Sequence, residues 1–321
     1  MQANISRLAT LARECKANII HARSRAPAWS SLAASRRVGS HFLTTVQGIH
    51  GVGTAIKRRY NSVMTMGELV ITNSSFTAEH IKSVYGADPS RIRVVHRGVD
   101  LSLFSPEAVT NARMVSLAER WRLPDGVPII MLPGRLTRWK GHELLIDSIA
   151  KLKREDICCI FVGEGKEHDS YRRSLERKIN RLNLGKVVRL VGGCNDMPAA
   201  YMLADVIVSA SYRPEAFGRV LAEAEALGRP VVAANHGGAR ETVIDGETGW
   251  LFEPEDSSDL ARKLMKALTL SDEDRIALAQ RSMSHIKNNF SLEKMCMATL
   301  NVYSELLEGD NNNFTSSFGG P

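Results

Sequence analysis

Short β-branched apolar runs alternate with longer amphipathic stretches along this chain. In the first part the runs stand at 18–22, 42–46, 69–72 and 91–95, with helical periodicity between them. Ser74 and Ser75 can cap a helix to about Tyr85, and Gly86 can end it. In the second part the runs fall at 128–132, 157–162, 187–190, 205–209, 230–233 and 249–252. Helical stretches lie at about 141–154, 167–183, 197–204, 217–228, 257–268 and 273–288. Strands separated by helices predict an α/β protein with parallel sheets. The six later strands describe a complete doubly wound domain. The stretch 122–128 carries Pro124, Gly126 and Pro128 and reads as a linker. We expect a first domain at 1–123 and a second at 124–290. A last amphipathic helix at 291–308 should pack back toward the first domain, and a polar tail at 309–321 has the composition of disorder.

Composition narrows the class. Over 321 residues, 44% hydrophobic and 24% charged residues exclude a disordered, collagenous or disulfide-scaffold chain. No apolar run approaches the ~18 residues of a membrane span. The first residues lack the apolar core of a secretory signal. An Arg-containing start with Glu14 as its only acid fits a mitochondrial presequence or a plain amphipathic helix, and we expect the helix. Cys15, Cys158, Cys159, Cys194 and Cys296 form no CxxC pair, which fits buried thiols in a reducing cytosol. Charge is uneven. Residues 1–124 hold 17 Lys and Arg against 7 Asp and Glu, a net of +10; the remainder nets −3. The basic half calls for an anionic partner, or is a solvated basic surface.

Chemistry concentrates in two loops. A strand ending at Leu132 leads through Gly134 to Arg135 and Lys140, at the carboxyl edge where open α/β sheets bind ligands. A planar fork and a point charge there suit a diphosphate. The next strand-loop-helix holds Glu215 and, eight positions on, Glu223. Glu223 sits on the inner side of its helix and needs a partner, such as sugar or ribose hydroxyls or a nearby arginine. The N–H groups of Phe217, Gly218, Arg219 and Val220 open a helix N-terminus that favours an anion. Gly163-Glu164-Gly165 allows close approach after a strand, but is not the dinucleotide GxGxxG. His236-Gly237-Gly238 either floors the same cleft or is only a turn. The Asp272-Glu273-Asp274 string follows Ser271 at a helix start, which is capping chemistry. The histidines show no ligand spacing, so we expect no metal.

Taken together, GRLTRWKG, VGEG, ADVIVSAS, PEAFGRVLAEAEALGRPVVA, HGGARETV and GETGWL resemble the retaining family 4 (group 1) glycosyltransferases of the GT-B fold. HARSRAPAW, RRYNSVM, ITNSSFTAEHI and RIRVVHRGVD extend the resemblance to about 18–307. It implies two Rossmann-like domains facing across a cleft, with the donor in the second and the acceptor in the first. It further implies that Arg135 and Lys140 bind the donor diphosphate and that Glu223 holds the ribose. Glu215 would contact the transferred sugar, with the backbone of Phe217 and Gly218 near it. Arg135, Lys140 and Glu215 would then be the catalytic groups, and Gly134, Gly163, Arg219 and Val220 would help to bind the donor. The resemblance implies retention without a protein nucleophile, a nucleotide-sugar as substrate, and no cofactor.

Two departures stand out. The family's His-Gly after the strand at 42–46 is Gln47-Gly48 here, and His50 is out of register. Gln47 can bind a sugar hydroxyl but cannot carry a proton. The chain also opens inside what looks like a later helix, so we expect an incomplete first sheet with a gap where the opening strand would lie. The leading expectation is a cytoplasmic hexosyltransferase, peripheral at the inner face of an anionic membrane. Its acceptor would be lipid-linked or a cell-envelope glycan, as in lipopolysaccharide biosynthesis. The rivals are a non-catalytic nucleotide-sugar-binding remnant and a nucleotide-sugar epimerase of the same fold. The aromatic residues of the basic half are too scattered for nucleic acid.

Overall fold

The structure is a computed structural model that describes residues 2–49, 51, 53–165 and 170–316, with 309–316 as backbone only. His50, the start of the helix expected at 167–183 and the end of the expected tail lie outside the described residues. The chain forms two compact units, Met1–Gly98 with Glu293–Pro321, and Val99–Leu292.

The first unit begins with α1 (Gln2–Glu14), β1 (Ile19–Ala22), α2 (Arg25–Val38) and β2 (His41–Val46). It continues with α3 (Ala55–Asn61), β3 (Leu69–Thr72), α4 (Ser75–Tyr85) and β4 (Ile92–Val94). The four strands are parallel and lie side by side in chain order. Among the described residues each crossover sets the next strand directly beside the last, and β1 is an edge of the sheet. Period-2 alternation splits each strand between two cores. Phe42, Val46 and Val70 face Leu32, Ala78 and Ile81, while Leu43, Leu69 and Ile71 face the other way. Ser74 caps α4 as expected, accepting from the Thr77 N–H, and Gly86 ends it in the left-handed region at φ 66°.

The second unit comprises α5 (Asn111–Trp121), β5 (Ile129–Pro133), α6 (His142–Leu152), β6 (Cys158–Val162), α7 (Ser170–Arg181) and β7 (Val188–Gly192). Then follow α8 (Met197–Leu203), β8 (Val206–Ser209), α9 (Arg219–Ala226), β9 (Val231–Ala234), α10 (Ala239–Thr242), β10 (Trp250–Phe252), α11 (Ser257–Leu268) and α12 (Asp272–Asn289). Its parallel sheet runs β10-β9-β8-β5-β6-β7. The order reverses at β5, between β8 and β6, which is the switch point of a doubly wound sheet. Ile130, Leu132, Cys159 and Phe161 pack one face, and Ile129, Met131, Cys158 and Ile160 the other. These runs are apolar on both sides because helices cover both faces. The described cysteines are all free thiols.

The units do not divide at the Pro/Gly stretch. Leu117 and Trp121 of α5 are buried in the core with Ile129 and Met131, so residues 99–123 belong to the second unit. The final helix, α13 (Leu292–Ser316), returns the chain to the first unit. Its Val302 and Leu306 close the core of Leu43, Leu69, Ile71 and Val95, and Glu305 pairs with Arg93. The helix continues to Ser316, into the segment whose composition reads as a tail. At the start of α12, Ser271 caps the helix by accepting from the Asp274 N–H at 3.1 Å, and the acidic string lies in its first turn.

Candidate functional site

At the switch point, β5 ends at Pro133 and the chain turns through Gly134, whose φ is 153°. The turn is clamped from both sides. The Gly134 N–H donates to the Val162 carbonyl at 2.8 Å. A Cβ on Gly163 would lie 1.8 Å from the Gly134 oxygen, and one on Gly141 would lie 1.7 Å from the Ala210 oxygen. Gly163 thus serves the approach of two backbone segments. The Tyr212 N–H donates to the Trp139 carbonyl at 2.8 Å, tying the loop to the end of β8. Arg135 is exposed on this loop, and its side chain pairs with no described residue.

Lys140 lays its stem along Gly134 and places Nζ 2.8 Å from Glu215 Oε1. Its charge also lies 4.5 Å from the centroid of the Trp139 ring. Glu215 Oε1 accepts from Ser211 Oγ at 2.6 Å and Ser209 Oγ at 3.4 Å. Both side chains of the pair are largely withdrawn from water, at 13% and 19% exposure. Removing one partner from such a pair strands the other charge and costs about 3–5 kcal/mol. The loop after β9 supports Glu215 from beneath: the Gly238 N–H donates to its carbonyl at 2.8 Å. His236 Nε2 lies 2.8 Å from the Ser211 carbonyl. The His-Gly-Gly turn therefore floors the glutamate loop.

Gly218, at φ 85°, reverses the chain into α9. The helix opens at Arg219, two residues later than its sequence pattern predicts, so Phe217 precedes it and is buried. Glu223, one turn on, is 8% exposed. Its Oε2 accepts from the Tyr201 hydroxyl at 2.9 Å, and its Oε1 is 3.0 Å from Arg219 Nε. Both expected kinds of partner are relevant here: an arginine is present, and the carboxylate also borders a cavity. Tyr201 is fully buried; burial, then the Glu223 charge, push its hydroxyl well above the ordinary range. It stays a donor.

A cavity of about 520 Å³ opens beside Glu223, lined among others by Ser102, Phe104, Arg113, Asp196 and Arg219. Arg113 clasps Asp196 with two bonds, at 2.9 and 2.6 Å. The bonds from Arg113 hold the Asp196 carboxyl below its usual pKa. Asp196 also caps α8 by accepting from the Ala199 N–H at 3.2 Å. Of the site residues expected from sequence, Arg219 and Glu223 line this cavity, whereas Arg135, Lys140 and Glu215 do not. The structure joins Lys140 to Glu215, and Glu223 to Arg219, as two separate pairs. Tyr201, Ser211 and the Arg113–Asp196 clasp carried no signal in the sequence. Tyr201 lies 22 positions from Glu223, and only the packing of α8 near α9 brings them together.

Fold and site thus define a doubly wound α/β protein with a Lys140–Glu215 pair at the switch point of its larger sheet and a cavity beside Glu223. The chain belongs to the family described as Glycosyl transferases group 1, which matches residues 116–284. The family described as Glycosyltransferase Family 4 matches residues 1–103. A glycosyltransferase from Rickettsia africae has 35% sequence identity and a TM-score of 0.89, over 95% of this chain and 81% of that one. Anabaena HepE, crystallised with UDP, shares the fold at a TM-score of 0.85 and 23% identity, over 94% of this chain and 82% of that one. The D-inositol 3-phosphate glycosyltransferase of Nocardioides is 32% identical over 258 residues, covering 75% of this chain and 54% of that protein. The chain spans about half the length of the curated relatives it matches. The two parallel Rossmann-like units expected from sequence are those of the GT-B fold.

Proposed function

We propose that this chain transfers a hexose from a nucleotide-sugar donor to a lipid-linked or cell-envelope glycan acceptor, with retention of configuration. The observation that carries the reading is Glu223, held between Tyr201 and Arg219 at the wall of a cavity large enough for a nucleoside. In this reading Glu223 accepts from the ribose hydroxyls. Arg135, Lys140 and the α9 N-terminus take the diphosphate and stabilise the charge that develops as the glycosidic C–O bond breaks. Glu215, already fixed by Ser211, orients the transferred sugar. No metal or cofactor is needed, because the cations are the protein's own. HepE has been crystallised with UDP and with UDP-glucose, which favours a uridine donor.

The acceptor side rests on the first unit, with Gln47 and Gly48 after β2. There Ile56 and Tyr60, one turn apart on α3, are 83% and 44% exposed beside Lys57, Arg58 and Arg59. An apolar pair among cations suits peripheral contact with an anionic membrane on the cytoplasmic side. Among the described residues, no helix is long and apolar enough to cross a membrane.

A thermal-shift series with UDP-, GDP- and ADP-sugars tests the donor reading. The matching donor stabilises the native chain by about 2.7 kcal/mol at a hundredfold excess over Kd. The gain is expected to vanish in Glu223→Ala. If no nucleotide-sugar raises the melting temperature, the reading is wrong. Donor turnover separates an active enzyme from a binding remnant.

A further inference from the structure

Residues 15–67 hold eight Lys and Arg and no Asp or Glu. Two of these cations, Arg23 and Arg25, directly follow β1 at the carboxyl edge of the first sheet. Both are held by amides. Arg25 Nη1 donates to Asn61 Oδ1 at 2.9 Å. With its amide oxygen turned toward Arg23, Gln47 accepts from Nε at 3.1 Å and from Nη2 at 3.2 Å. Asn73 fixes Gln47 in turn by donating to its backbone carbonyl at 3.1 Å.

An amide oxygen aims a guanidinium without neutralising it. Among the described residues no carboxylate pairs with either arginine, whereas His41, Lys82 and Arg93 of the same unit each meet a glutamate. The edge is favourable to anions in two further respects. The 14-residue α2 opens at Ser24, whose side chain makes no cap bond, and its first turn has no acid. His21, bonded to Thr45 and Tyr303, is kept neutral by burial and by Arg23, its pKa lowered to about 4. The positive charge here therefore comes from fixed guanidiniums, the group best matched to phosphate oxygens.

We propose that Arg23, aimed by Gln47, and Arg25 bind a phosphoryl group on the acceptor. The proposal rests on the reading of the first unit as the acceptor side. It gives Gln47 a positioning role where a proton-carrying histidine is absent: the amide presents Arg23 rather than touching the reacting atoms.

The test titrates the full chain with glycerol 1-phosphate, with and without UDP, and measures retention on phosphatidylglycerol and phosphatidylcholine vesicles. Arg23→Gln is expected to weaken glycerol 1-phosphate binding about tenfold or more, the worth of a charge-assisted bond. Arg23→Lys recovers only part, because it restores charge but not the fork. Gln47→Glu, which neutralises Arg23 in place, weakens binding as well. Reduced retention of Arg23→Gln on phosphatidylglycerol would assign the phosphoryl group to a lipid headgroup; reduced binding of the soluble ester alone would assign it to a free acceptor. Glu223→Ala should bind glycerol 1-phosphate as wild type does while losing donor, so the two readings fail separately. Arg23 is exposed, and an unchanged melting curve establishes that its variants are folded. Equal binding of both probes by wild type and Arg23→Gln would overturn the proposal.

Discussion

At the residue scale, neighbouring glutamates on α9 have different fates. Glu223 reaches the cavity wall, while Glu225, two positions on, is fully buried. Neither of its carboxyl oxygens has a hydrogen-bond partner among the described residues. Burial pushes the Glu225 carboxyl well above its ordinary 4.5, and the nearby Thr248 hydroxyl opposes this only partly. The native chain therefore holds a proton that the unfolded chain releases above about pH 4.5. Stability from this group is present at low pH and declines as pH rises, by about 1.4 kcal/mol per unit until the folded group ionises. Glu225→Gln is expected to remove that slope, gaining on wild type from pH 5 upward in urea melts read across pH. Parallel curves for the two proteins would refute it. In the sequence both acids look alike; the helical turn between them and the sheet beneath decide which is wet.

At the scale of elements, the glycines mark where backbones cross. Gly163 reads as room for a ligand, yet the atom it makes room for is the Gly134 carbonyl, at the point where β5 and β6 both end. A methyl group there must push the two loops apart. Gly163→Ala is expected to destabilise the second unit by about 1–3 kcal/mol and to weaken donor binding through Lys140, whose stem lies on Gly134. Calorimetry and donor titration check this together; an unaltered melt and affinity would count against the clamp. The elements themselves are legible in the sequence. Strand runs and caps such as Ser74 and Ser271 are local signals, legible because an N-cap bond spans three residues. The apolar pattern runs on through Phe217 and so predicts an earlier start for α9, but Gly218 at φ 85° resets the helix.

For the whole molecule, the first unit is closed by the far end of the chain. Val302 and Leu306 are 4% and 7% exposed against Leu43, Leu69, Ile71 and Val95. Leu306→Ala is expected to cost about 2–5 kcal/mol and to lower the transition of the first unit in calorimetry. Nucleotide-sugar should still raise that of the second. If the substitution instead abolished the donor response, the division into two units would be wrong as an energetic statement. Periodicity of two and of 3.6 residues was enough to announce parallel α/β architecture and its two-sided cores, because burial repeats with the local geometry of strand and helix. The family motifs likewise point to Lys140, Glu215 and Glu223, which the structure holds in two ion pairs. Packing alone decided that residues 99–123 join the second unit, that Tyr201 meets Glu223, and that Gln47 meets Arg23. The last two contacts join positions 22 or more apart, and no local pattern records which distant side chains a fold will press together.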